Sequence, residues 1–104
     1  MTLQEAVKKF QEAAANDAAP NPVKYSNYYC GITNDLDRRQ GEHKAPAYLY
    51  TCTCPSFKVA CELEKMLHDA GFDTGEQVGH GNEDSVYVYM YRKIPRVTCE
   101  SLTA

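Results

Sequence analysis

The chain has 104 residues, five cysteines and a formal net charge of −3 at pH 7. That length fits one small domain, and the negative charge excludes tight, indiscriminate DNA binding, because Lys and Arg supply most of that affinity. No apolar run approaches the roughly 20 residues that span a bilayer, and no basic-plus-apolar leader opens the chain, so the expectation is a cytoplasmic protein without membrane contact.

Residues 2–15 read as a helix. Thr2 can cap it, Glu5 stands three residues on, and Val7, Phe10 and Ala14 recur at helical spacing. Asn16 to Pro22 contains Asn, Asp and two prolines and reads as a linker. The first helix is therefore expected as an appendage outside a core spanning 25–91. Tyr25–Thr33, aromatic and β-branched, reads as a strand. Asn34 offers the cap of a short helix through His43, and Pro46 ends it.

Ala47–Cys54 reads as a second strand. A helix then starts at Pro55 or Ser56 and runs to about Ala70, with Gly71 as its cap. Residues 73–85 are polar and glycine-rich and read as a loop. Val86–Tyr91 is the clearest strand, with Val86, Val88 and Met90 on one face and Tyr87, Tyr89 and Tyr91 on the other. Residues 92–104 read as a tail. These elements predict an α+β domain: a three-stranded, mostly antiparallel sheet flanked by helices, with an extra N-terminal helix. Cys30, Cys52, Cys54 and Cys61, with His43, His68 and His80, match no zinc template, since both CxxC pairs are missing; reduced thiols are expected.

Chemistry concentrates in two segments. In the first strand, Tyr29, Gly31 and Thr33 share a face, and Gly31 leaves space above the strand where a phosphate could approach. The next helix sets Arg39 and His43 one turn apart; Arg39 is a planar, permanently charged fork suited to phosphate. In the later helix Ala60, Leu63 and Leu67 form the core stripe. Glu64 lies about 40° from Ala60 and Glu62 about 200° away, so Glu64 should be half-buried and Glu62 solvated. A half-buried carboxylate needs a partner, and a divalent cation is one. Each piece also has a plain reading: a core tyrosine, a solvated Arg-His pair, a salt-bridged Glu.

The stretch Tyr28-Tyr29-Cys30-Gly31-Ile32-Thr33-Asn34-Asp35-Leu36-Asp37-Arg38-Arg39, ending at His43, resembles the second half of the signature of the GIY-YIG endonucleases. Ala60-Cys61-Glu62-Leu63-Glu64-Lys65-Met66-Leu67 resembles that family's later helix. The likeness covers roughly residues 25–70. It implies a GIY-YIG-like sandwich and a small metal-dependent nuclease acting on nucleic acid, DNA ahead of RNA. Tyr29 would orient or deprotonate the water, Arg39 would bind the scissile phosphate, His43 would assist proton transfer, and Glu64 would hold a single Mg²⁺ or Mn²⁺. Tyr25, Tyr28, Arg38 and Lys44 would contact substrate. Asn82 lies near the place of a late family asparagine.

The Gly-Ile-Tyr strand that opens the signature is absent, leaving Tyr25 or Tyr28 as local candidates for its tyrosine, and Val86–Tyr91 is expected to fill that strand's place in the sheet. Positive charge from Arg39 and a metal is expected to lower the Tyr29 pKa from its ordinary value near 10. The competing readings are a degenerate module of the same fold that binds nucleic acid or a protein partner without cutting, and an unrelated α/β domain whose tyrosines form core and an interface, a homodimer included.

Overall fold

The computed structural model describes residues 1–75 and 81–100. Part of the expected 73–85 loop, including His80, and the end of the tail lie outside them. The elements in order are α1 (Leu3–Ala18), a 3₁₀ turn (Tyr25–Asn27), β1 (Tyr28–Thr33), α2 (Leu36–His43), β2 (Tyr50–Thr53), α3 (Phe57–Asp69) and β3 (Tyr87–Arg92). The protein is a small α+β domain with one antiparallel sheet in the order β1-β3-β2. Among the described residues no helix is long and apolar enough to cross a membrane.

Helix α1 starts as its sequence demands. The Thr2 side chain accepts from the Glu5 backbone N–H, and the Glu5 carboxylate accepts from Thr2 N. Such a reciprocal cap satisfies two orphan donors. The helix runs three residues beyond the expected end, into the supposed linker. Nor is it an appendage: Ala6, Phe10 and Ala14 are buried in the main core. The two alanines let the helix approach α3 and β2 closely, and the Phe10 ring stands edge-on to Tyr50 at 4.8 Å.

β3 is the central strand. It pairs β1 with Cys30 opposite Met90 and Tyr29 opposite Tyr91, and pairs β2 with Tyr50 opposite Met90 and Cys52 opposite Val88. Alternation then sorts the side chains. Tyr28, Cys30, Ile32, Val88 and Met90 face α1 and α3 and join Ala60, Leu63, Leu67 and Phe72 in a hydrocarbon core. Tyr29, Tyr89 and Tyr91 face the other way and form a second cluster against Leu36, Ala45 and Tyr48.

Caps fix the two later helices. Asp35, one residue beyond the expected Asn34, caps α2 by accepting from Arg38 N; Ser56 caps α3 by accepting from Val59 N. Gly71, at φ +107°, turns the chain after α3, where a glycine tolerates the left-handed backbone. Asp73 then pairs with the free edge of β1: Cys30 N donates to Asp73 O, and Asp73 N to Tyr28 O. None of the five cysteines is in a disulfide.

Candidate active site

β1 carries Tyr29 and Gly31 to the tyrosine-lined face. A Cβ built on Gly31 would lie 2.4 Å from the Tyr89 hydroxyl and 2.6 Å from the ring carbon bearing it. The glycine is there so that the Tyr89 ring can lie across β1. The space expected for a phosphate above Gly31 is therefore filled, by a side chain from the neighbouring strand. Tyr29 sits among its neighbours at ring-centroid distances of 5.0 Å to His43, 5.5 Å to Tyr91 and 6.4 Å to Tyr89.

Helix α2, which ends at Lys44 with φ +53°, lays Arg39 and His43 onto this face. His43 is 0% exposed. Its Nε2 lies 2.7 Å from the Tyr89 hydroxyl, and its Nδ1 meets the Cys99 carbonyl and, at 3.1 Å, the Tyr91 hydroxyl. The Tyr91 hydroxyl donates in turn to Glu100 Oε2 at 2.7 Å. Cys99 N also donates to His43 O, so residues 99–100 close over the histidine. Burial pushes the His43 pKa below its ordinary value, against the opposing pull of the Cys99 carbonyl; the ring is neutral near pH 7. His43 therefore belongs to the cluster but does not open to solvent, as a residue contacting substrate directly would.

The Arg39 side chain is 29% exposed and reaches Glu42 Oε1 from Nη1 at 3.1 Å. Burial acts to lower its pKa, but hydrogen bonds to Tyr89 and Glu42 carry it upward. Its Nε is buried without a hydrogen-bond partner. A buried guanidinium N–H left unmatched is costly, and an anion arriving here would supply the missing acceptor.

Glu64 is 4% exposed, more deeply buried than the helix-wheel argument predicts, while Glu62 is exposed as expected. The charge of Glu64 is felt at the Tyr29 hydroxyl and at the Cys30 and Cys61 thiols, all of whose pKa values it raises. The expected lowering of Tyr29 by Arg39 is present but outweighed. Burial first and Glu64 second push Tyr29 up to about 12, and Arg39 only partly offsets them. Among the described residues no three His, Cys, Asp or Glu side chains gather as an all-protein metal cage. A single carboxylate still fits Mg²⁺, which keeps several waters and is commonly held by one or two carboxylates plus substrate phosphate.

The remaining predicted residues divide. Arg38 and Lys44 are exposed on or beside α2, with Arg38 Nη2 donating to Asn34 Oδ1 at 2.9 Å. Tyr25 and Tyr28 are not part of the cluster. Tyr25 packs on Phe72 at 4.8 Å, and the Tyr28 hydroxyl donates to Asp17 at 2.9 Å on the opposite side of the sheet. Strand alternation makes this unavoidable, since Tyr28 and Tyr29 are consecutive. Asn82 is exposed and organises a turn with Asp84 and Ser85.

Sequence reasoning missed Tyr48, Tyr89, Tyr91 and Glu100 as site residues. The tyrosines left a signal, because Tyr87, Tyr89 and Tyr91 fall on one strand face; the tail left none. A pocket of about 490 Å³ lies beside the tail, lined by Asn27, Arg92, Lys93, Arg96, Thr98 and Glu100 among others, and touches none of Tyr29, Arg39, His43 and Glu64. Comparison with protein-family models, with curated proteins and with solved structures returned no match.

Proposed function

We propose that the tyrosine-lined face is a phosphodiester-cleaving site and that the protein is a small, divalent-metal-dependent nuclease of the kind the GIY-YIG resemblance implies. One observation carries the reading. Arg39 holds a buried, unpartnered Nε beside the Tyr89 hydroxyl, on the same face as Tyr29 and within electrostatic reach of the ring that also feels Glu64. A fixed cation aimed at developing negative charge is the most effective single device for stabilising a phosphoryl transition state. Arg38 on the same helix and Lys44 just past its end supply further phosphate contacts.

Glu64 would hold Mg²⁺ or Mn²⁺, which when bound supplies charge for the leaving oxygen and an acidified water. The chain's own groups do the rest. Tyr29 orients the water by hydrogen bonding. His43, neutral and joined to the Tyr89 hydroxyl at 2.7 Å, is the acceptor for a proton. At a net charge of −3 substrate binding is weak and salt-sensitive, which favours short, branched or single-stranded nucleic acid, DNA ahead of RNA. Five cysteines without a disulfide suit the reducing cytoplasm.

The test is cleavage of mixed DNA and RNA substrates with and without Mg²⁺ or Mn²⁺. Wild type should cut only with metal, Glu64→Ala should lose cutting but keep binding, and Arg39→Ala should lose both. Equal cutting by wild type and Glu64→Ala would reject the site. A second reading, a module that binds nucleic acid or a protein partner without cutting, is favoured by the closure of residues 99–100 over His43; binding without cleavage by wild type would select it.

A further inference from the structure

Tyr89, His43, Tyr91 and Glu100 form one hydrogen-bonded chain. A carbonyl oxygen only accepts, so the contact between His43 Nδ1 and the Cys99 carbonyl requires the proton on Nδ1. In the neutral ring Nε2 is then a lone pair, and the Tyr89 hydroxyl must donate to it across 2.7 Å. On the other side, the Tyr91 oxygen shares the Nδ1 proton at 3.1 Å while its own O–H donates to Glu100 at 2.7 Å. The hydrogen bonds all run one way, toward a carboxylate on the tail.

We propose that the C-terminal tail is a working part of the site: the Cys99 carbonyl and the Glu100 carboxylate, the second through Tyr91, hold His43 in the tautomer that makes Nε2 a base for the Tyr89 hydroxyl. As the Tyr89 O–H bond breaks and an Nε2–H bond forms, the Tyr89 oxygen takes a proton from the water whose oxygen bonds to phosphorus; the bond from phosphorus to the leaving oxygen breaks, and the resulting imidazolium is balanced by Glu100. The proton returns by the same path when the leaving oxygen is protonated. Glu100, Tyr91 and the Cys99 backbone are positioning groups, acting through His43. The groups facing the imidazole are Arg39 and Glu42 from α2, Tyr29 from β1, Tyr89 and Tyr91 from β3, and Glu100 from the tail. The proposal rests on the nuclease reading only for its kinetic arm.

The spectroscopic arm stands alone. Imidazole ¹⁵N shifts of full-length wild type should show the neutral Nδ1–H tautomer at pH 7. In Glu100→Gln the His43 titration should move to lower pH, because the carboxylate that favours the charged ring is gone. Tyr91→Phe, which keeps the ring, should move it the same way. An Nε2–H tautomer in wild type, or titrations that do not move in either folded variant, would overturn the proposal whether or not the protein cuts nucleic acid. If it does cut, both variants should lower kcat by about 10- to 100-fold, within what positioned proton transfer contributes, at unchanged KM. A rise in kcat for Glu100→Gln would mean that the tail obstructs the site, and would equally overturn it.

Discussion

On one face of the sheet, Cys30, Ile32, Val88 and Met90 meet α1 and α3; on the other, Tyr29, Tyr89 and Tyr91 meet α2 and the tail. The same three strands build both, and burial is nearly complete on each. Their chemistry differs. The first face is mainly hydrocarbon and tolerates any filling of the right volume. The second buries hydroxyls, an imidazole and the Nε of a guanidinium, each of which costs stability unless it finds a partner. Most do: Tyr48 donates to the Leu36 carbonyl, Tyr89 to His43 and Tyr91 to Glu100. On this face polar groups are matched one by one, and among the described residues the buried Arg39 Nε–H is the one left over.

Breaking the hydrocarbon face should cost most. Phe10→Ala or Leu63→Ala removes a fully buried side chain and should lower unfolding free energy by about 2–5 kcal/mol in a urea titration; a loss below about 1 kcal/mol at Phe10 would return α1 to the status of an appendage. Gly31→Ala should come next. The added methyl meets Tyr89 at 2.4 Å, and overpacking of this kind costs about 1–3 kcal/mol. Because Tyr89 must move off His43, cleavage should fall by far more than stability does.

Acid should separate the faces further. Unfolded His43 gains its proton near 6.5, and the folded ring resists. Between those two pKa values the unfolded chain binds the extra proton, so stability is intact above pH 6.5 and declines below it. Asp73 adds a later step. Burial raises its pKa, but the Lys93 ammonium at 2.9 Å and the Gly75 N–H hold the carboxyl below its ordinary 3.8. Its contribution is present above pH 3.8 and lost as pH falls through the lower folded value. His43→Gln should remove the first step and keep the second, as read from urea midpoints against pH. The smallest effect belongs to Glu62→Ala: this exposed side chain should change neither stability nor cleavage, within about 0.5 kcal/mol.

How much of this was legible follows from the range of each interaction. Contacts within a turn were readable: the Thr2–Glu5 box, a helix start at Pro55 or Ser56, the Gly71 turn and the alternation of β3 are written in neighbouring residues. Where two short polar residues adjoin, as at Asn34 and Asp35, the cap was misplaced by one, since either side chain can accept from the first turn. Gly31 announced room above β1, but what fills the room comes from Tyr89 on a strand distant in sequence. Two prolines made the α1 connection look like a tether; only packing shows that Ala6, Phe10 and Ala14 close the core. Tyr25 and Tyr28 were grouped with Tyr29, but alternation turns Tyr28 to the other face and the 3₁₀ turn sends Tyr25 onto Phe72. Cys99 and Glu100 carry no periodicity at all, so a tail that reaches back to His43 was invisible.

In the proposed nuclease Glu64 and Tyr29 share one site, and paramagnetic Mn²⁺ reports that directly. In two-dimensional NMR spectra of the wild-type protein, substoichiometric Mn²⁺ should broaden the signals of Glu64, Cys61 and Tyr29 first and leave those of α1 sharp. Glu64→Ala should abolish that selectivity. Broadening centred on exposed acids such as Asp69 or Glu62, or an identical pattern in Glu64→Ala, would contradict the proposed site.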